Sequence, residues 1–108
     1  MASTLLMNRT NTVQLTRYRD EISGTFIADA VVVADLLTDP RTGPQVAVSP
    51  ATTGMVLSYI PGTDATYRAQ MPNTTPLVEG ARYLLRIVAS SVFGDQVFER
   101  ECFARLPR

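Results

Sequence analysis

A tyrosine placed at the start of a long apolar strand is the feature that most constrains the fold of this chain. Tyr83 follows Leu77 by six residues and Gly80 by three, and apolar side chains then recur at every second position from Leu85 to Ala89. This spacing is typical of a corner leading into a β-sandwich strand, where the tyrosine packs under the turn and its hydroxyl bonds to backbone upstream. The segment Leu77–Gly94 therefore predicts a two-layer β fold, and it says much less about function.

The rest of the chain also has the pattern of short strands separated by turns. Apolar residues recur with period two, and clusters of Gly, Pro and Asp interrupt them at short intervals. No segment has the length and period of a helix. We therefore predict an all-β fold, an antiparallel β-sandwich of seven or eight strands. The predicted strands are Thr12–Thr16, Thr25–Thr38 (one bent strand or two), Gln45–Val48, Met55–Ile60, Thr66–Met71, Arg82–Ser91 and Gln96–Leu106.

A length of 108 residues is that of one domain with a single core. Residues 1–8 are predicted to form a flexible N-terminal arm, and residues 9–108 a single sandwich domain. The N-terminus lacks the apolar run of a signal peptide, and no segment approaches the roughly 20 apolar residues of a membrane span. We expect a protein that is made in a cytoplasm, has no signal peptide and has no membrane partner.

The composition argues against catalysis, metal binding and nucleic-acid binding. The chain has no histidine, and its one cysteine, Cys102, is predicted to be a buried apolar residue. Glu99 and Glu101 share one side of a strand and are interpreted as a solvated edge rather than an acid–base pair. Ten basic residues balance ten acidic ones, so no basic surface is expected. We predict no enzymatic activity, no cofactor, no metal site and no nucleic-acid partner.

Two of the predicted strands carry apolar side chains on both faces. Val32, Ala34 and Leu36 are assigned inward, although the opposite register also fits the pattern, and in Arg82–Ser91 the face that starts at Tyr83 is assigned inward. The outward face is either covered by the protein's own loops or is a contact surface for another subunit. The candidate interface combines apolar residues with an arginine rim. It consists of Val31, Val33, Leu84, Val88, Arg82 and Arg86.

Several of these segments resemble known families. Leu77–Gly94 resembles the fibronectin type III and immunoglobulin-like pattern around the corner tyrosine, although the chain has no tryptophan and no cysteine pair. A longer series of motifs is similar to small immunoglobulin-like proteins encoded among the structural genes of tailed bacteriophages and prophages. In those proteins a glycine commonly stands where this chain has Ala65 and Thr66. The motifs are Asn11–Leu15, Ser23–Ala30, Tyr59–Ala69 and Leu77–Ala89.

The resemblance implies an immunoglobulin-like sandwich and a non-enzymatic virion structural protein made in the host bacterial cytoplasm. Such a protein assembles in multiple symmetric copies with other virion structural proteins, at the head–tail junction or tail, or decorating the head. The alternative is a carbohydrate- or cell-surface-binding module, with Tyr59, Tyr67 and Asp64 as a polar and aromatic patch. A regulatory enzyme subunit is a third alternative, for which the sequence offers no specific support.

Overall fold

A computed structural model of the chain describes residues 3–19, 24–27, 29–39, 41, 45–62, 65–92 and 94–106. These residues form strands and turns without an α-helix, and Pro50–Thr52 form a 3-10 turn. The predicted all-β class is confirmed. The strands are β1 (Ser3–Leu6), β2 (Asn11–Leu15), β3 (Val31–Thr38), β4 (Met55–Tyr59), β5 (Tyr67–Met71), β6 (Arg82–Ser91) and β7 (Gly94–Arg105).

The seven strands form one continuous mixed sheet rather than two clearly separate antiparallel sheets. Their order is β1-β7-β6-β3-β4-β5-β2, with β1 parallel to β7 and every other neighbouring pair antiparallel. The continuity of the sheet depends on β4, which pairs with β3 through Met55–Leu57 and with β5 through Ser58 and Tyr59. The sheet therefore curls into a nearly closed barrel, which corrects the prediction of a fully antiparallel, two-sheet sandwich.

The barrel is open between β2 and β7. Within the described residues, β2 pairs only with β5, and Gly94–Glu101 of β7 pair only with β6, so two strand edges border the opening. A cleft of about 690 Å³ lies between them, and Ile87 and Phe98 contribute to its lining. β1 pairs only with the C-terminal end of β7, because its four residues lie opposite Cys102–Arg105.

Other differences from the sequence prediction are local. Residues 3–6, expected in a flexible arm, form β1, where Leu5 is buried in the core; the boundary between arm and domain stays a prediction. Thr25–Thr38 divides into a bridge between Arg19 and Phe26 and the separate strand β3. Gln45–Val48 is reduced to one bridge, Leu37 with Ala47. The predicted turn residues at 20–23, 40, 42–44 and 63–64 lie outside the described residues, as do residues 1–2 of the arm.

The predicted face assignments of β3 and β6 are confirmed. Val32, Ala34 and Leu36 are buried; of the β6 residues directly opposite them, Ala89 and Ile87 are buried and Leu85 is partly buried against the core. Side chains point alternately to opposite faces of a strand, so burying this set places the intervening residues on the outside of the barrel. The outside surface of β4, β3, β6 and β7 is called the outer face below.

Candidate protein interface

All six residues predicted as interface lie on the outer face. Val31 and Val33 alternate with the buried residues of β3, and Leu84 and Val88 alternate with those of β6, flanked by Arg82 and Arg86. The two strands are neighbours, so the predicted set is brought together on one surface: Val33 is directly opposite Val88. Whether another subunit contacts this surface stays a prediction.

Four valines form one row across the outer face. Val33 lies opposite Val56 of β4 on one side and Val88 on the other, and Val88 lies opposite Val97 of β7. Directly opposed side chains have Cβ atoms about 4.5–5.5 Å apart, so the row is a continuous apolar strip. The outermost members, Val56 and Val97, are 65% and 59% exposed, and the neighbouring Val31 is 64% exposed. We call Val56, Val33, Val88 and Val97 the valine row.

A row of charged residues borders the valine row. Asp35 lies opposite Arg86, which lies opposite Glu99. The Arg86 guanidinium donates to Glu99 Oε2 at 2.9 Å and to Gln45 Oε1 at 3.2 Å. Asp35 Oδ1 accepts the Gly54 amide at 2.6 Å. These bonds hold both signs of charge in place beside the apolar strip, which is how the rim of a protein interface is commonly built.

The far end of the outer face, around the half-buried Leu84, is partly covered by charged side chains of the chain itself. Leu84 lies beside Asp39, Arg41 and Glu101, and the Arg41 guanidinium bonds to both carboxylates. The Arg41 backbone amide is the main cause of a lowered pKa for Asp39, and the hydrogen bond to Asp39 raises the pKa of Arg41. Both groups are therefore held in their charged forms beside Leu84.

The two interpretations of this face from the sequence concern different ends of it: the chain itself partly covers one end, and a contact with another subunit at the other end stays a prediction. The Asp39, Arg41 and Glu101 side chains lie around the half-buried Leu84, whereas the exposed valines of the outer face lie toward its other end. Arg82 lies beyond the covered end, with its guanidinium carbon 4.9 Å from the centre of the Phe103 ring, a cation–π contact. The accessible apolar part of the outer face is therefore the valine row together with the neighbouring Val31.

The sequence prediction omitted Val56 and Val97. Each lies next to inward-pointing apolar residues, Val56 between Met55 and Leu57 and Val97 before Phe98. The sequence signal for both valines is that apolar and polar residues do not alternate around them, which indicates a strand that is apolar on both faces. Their place in one row depends on strand register, which the pattern of a single strand does not determine.

The other candidate sites are not assembled in the described part of the chain. Among those residues no three or more His, Cys, Asp or Glu side chains are grouped to hold a metal ion. Cys102 is buried, and burial raises the pKa of its thiol, the opposite of what activates a cysteine nucleophile. Glu99 and Glu101 each bind a different arginine, Arg86 and Arg41.

The proposed sugar-binding patch is not formed as predicted, because Tyr67 is a core residue. Its side chain is 1% exposed, and its hydroxyl donates to the Ile27 carbonyl and accepts the Ala30 amide. A buried ring offers no flat surface to a sugar. Tyr59 is half-buried against Tyr67, and Asp64 lies outside the described residues.

Comparison with known proteins adds no assignment. No family model matches the chain, and neither a curated protein nor a solved structure is found to be similar to it. A search of the described residues finds no helix long and apolar enough to cross a membrane. Function is therefore inferred from the outer face and from the sequence motifs.

Proposed function

We propose that this protein is a non-enzymatic structural component that assembles in multiple copies through its outer face. The observation that carries the proposal is the valine row, whose two ends are more than half exposed and whose two central members are half-buried, bordered by the Asp35, Arg86 and Glu99 side chains. Exposed contiguous apolar patches with a polar rim mark contact surfaces, whereas single exposed apolar residues need no explanation. Four aligned valines on adjacent strands belong to the first case.

The size of this surface favours assembly over a tight isolated pair. Strands lie about 4.8 Å apart, so a four-strand face is only about 15–20 Å wide. A stable interface commonly buries about 800 Å² per partner, and a face this narrow provides less. Repetition of a weak contact in a symmetric assembly stabilises the whole, because each further contact forms at high effective concentration.

We infer further that the assembly is the virion of a tailed phage, with this protein at the head–tail junction or tail, or decorating the head. Support comes from the order of the phage-like motifs, with other virion structural proteins as partners and synthesis in the host bacterial cytoplasm. We also infer that the barrel is a variant immunoglobulin-like sandwich in which β4 joins the two layers. The corner tyrosine, whose hydroxyl oxygen accepts the Val78 amide, supports that inference.

Two measurements test this function. The first is the gene neighbourhood, which should contain portal, capsid or tail genes. The second is mass spectrometry of gradient-purified particles from a host that carries either Val56→Asp or Val92→Asp. Val92 is a matched control, because it is 87% exposed but lies in the turn between β6 and β7.

We expect the native chain and Val92→Asp in the particles and Val56→Asp in the free fraction, because burying an unpaired carboxylate at a contact is costly. Absence of the native chain from particles would refute the virion assignment. Equal incorporation of the two variants would refute the contact surface.

A further inference from the structure

We propose that the valine row binds the same row of a second copy of this chain, related by a two-fold axis that runs parallel to the strands between β3 and β6. This inference rests on the proposed function and names the partner of its contact surface. The two outer faces would pack as aligned sheets, about 10 Å apart.

The order of the strands makes the row self-complementary. The outer face runs β4-β3-β6-β7, so an axis between the two central strands exchanges β3 with β6 and β4 with β7. Val33 of one copy then faces Val88 of the second copy, and Val56 faces Val97 of the second copy. Each apolar residue meets an apolar residue at the same level of the sheet, as an isologous interface requires.

The charged row identifies a second copy as the partner. Asp35 and Arg86 are directly opposed within the sheet, so the same axis places Asp35 of one copy opposite Arg86 of the second copy, twice. A two-fold axis along the valine row would instead place the row on one side of the valines opposite the row on their other side. Glu99 would then face Asp95 of the second copy, and these two like charges would repel. Charge complementarity therefore favours the axis parallel to the strands.

The covered end of the outer face limits the contact. Arg41 lies beside Leu84, and Gln45 bonds to Arg86. The apolar contact is therefore centred on the valine row, and the charged row of Asp35 and Arg86 lies at its edge. A face of this width is small for a stable dimer. We expect concentration-dependent self-association, with a dissociation constant in the range of about 10 μM to 1 mM.

The test uses two charged variants, Val56→Glu and Val97→Arg, in sedimentation velocity of the full chain. Both valines are more than half exposed, so neither substitution removes core packing, and circular dichroism verifies folding. Each variant alone should self-associate at least ~10-fold more weakly than the native chain, since an unpaired charge meets a valine twice. An equimolar mixture should recover association, because the two introduced charges then face each other across the axis.

Recovery on mixing cannot arise from a change in the stability of either chain, so it reports the contact itself. A native chain that stays monomeric at ~1 mM, or a mixture no better than the separate variants, would overturn the dimer. A second pair of variants, Asp35→Arg and Arg86→Asp, tests the charged row in the same way. Each variant alone should self-associate more weakly than the native chain, and the mixture should recover association. If neither mixture recovers self-association while Val56→Asp is still excluded from particles, the dimer is refuted and the proposed function is retained.

Discussion

The backbone amide of Val78 donates a 2.9 Å hydrogen bond to the hydroxyl oxygen of Tyr83, five residues further along the chain. The Tyr83 ring is buried, and Gly80, between the two residues, has a φ of +80° and donates its amide to the Ala104 carbonyl. A positive φ is readily adopted by glycine but strains other residues. The bond, the buried ring and the glycine together form the corner that the sequence predicts.

Removing the hydroxyl of this corner should weaken the fold measurably. Tyr83→Phe is expected to lower the free energy of unfolding by about 1 kcal/mol or slightly more, because the partly buried Val78 amide loses its acceptor. Tyr83→Ala should lower it by roughly 3–5 kcal/mol, the usual cost of an aromatic-to-alanine change in a core. Urea denaturation of the three proteins measures both values. Equal stability of Tyr83→Phe and the native chain would show that the bond contributes nothing.

A larger loss is expected for Tyr67→Phe than for Tyr83→Phe. The Tyr67 hydroxyl bonds two backbone groups, the Ile27 carbonyl and the Ala30 amide, and thereby ties β5 to the segment before β3. Leaving a buried carbonyl and a partly buried amide without this partner should cost about 2–3 kcal/mol.

Tyr18→Phe is the matched control for that loss. The Tyr18 ring is buried against Tyr67, and in the described part of the chain its buried hydroxyl has no hydrogen-bond partner. Its removal should leave stability unchanged or raise it by up to about 1 kcal/mol. Chemical denaturation of both variants decides the ranking, and a larger loss for Tyr18→Phe would contradict the hydrogen-bond assignment.

Alkaline pH should destabilise the protein in two stages. Burial raises the pKa of Cys102 above its ordinary 9.0 and the pKa of Tyr67 above its ordinary 10.0. A raised folded-state pKa of an acid contributes stability that is present below the unfolded pKa and is lost as pH rises through the folded value. Stability should therefore begin to fall just above pH 9, and in Cys102→Ala the fall should begin nearer pH 10. Melting temperatures measured across this range provide the test, and identical onsets would contradict the Cys102 assignment.

The two ends of the outer face should respond differently to a new charge. Leu84→Asp places a third carboxylate in the cavity that Asp39, Glu101 and Arg41 line, and we expect the free energy of unfolding to fall by about 1–3 kcal/mol. Val56→Asp, on the open end, should lose less than about 1 kcal/mol, largely from the weaker strand propensity of Asp. Thermal melts of the isolated variants separate the two cases. A Val56→Asp variant as unstable as Leu84→Asp would show that the valine row is covered in the monomer.

The sequence predicts this fold well where the information is local. The limits of β6 agree with the prediction at both ends, and the inward set of β3 at Val32, Ala34 and Leu36 is confirmed because alternation and burial are coupled within one strand. The corner at Tyr83 depends on residues within a single short segment, and it was equally predictable.

The errors concern pairings between distant segments. The parallel contact of β1 with β7 depends on two chain ends meeting, and Ser3–Leu6 alone is too short to show a strand period. The continuous sheet depends on β4 changing partner after Leu57, which no pattern inside β4 reveals. The valine row likewise results from the registers of four strands, so only its two central members, Val33 and Val88, were predicted.

The most direct test of the contact surface is thiol protection at Val56. Val56→Cys and, as the control, Val92→Cys are made in a Cys102→Ala background, which removes the natural thiol, and maleimide labelling rates are compared for the dilute chain and the assembled particle. We predict that assembly slows labelling at position 56 at least ~10-fold, as burial in a contact requires, and leaves position 92 unchanged. Equal rates at position 56 in the free and assembled states would contradict the assignment of the valine row as the surface through which this protein assembles.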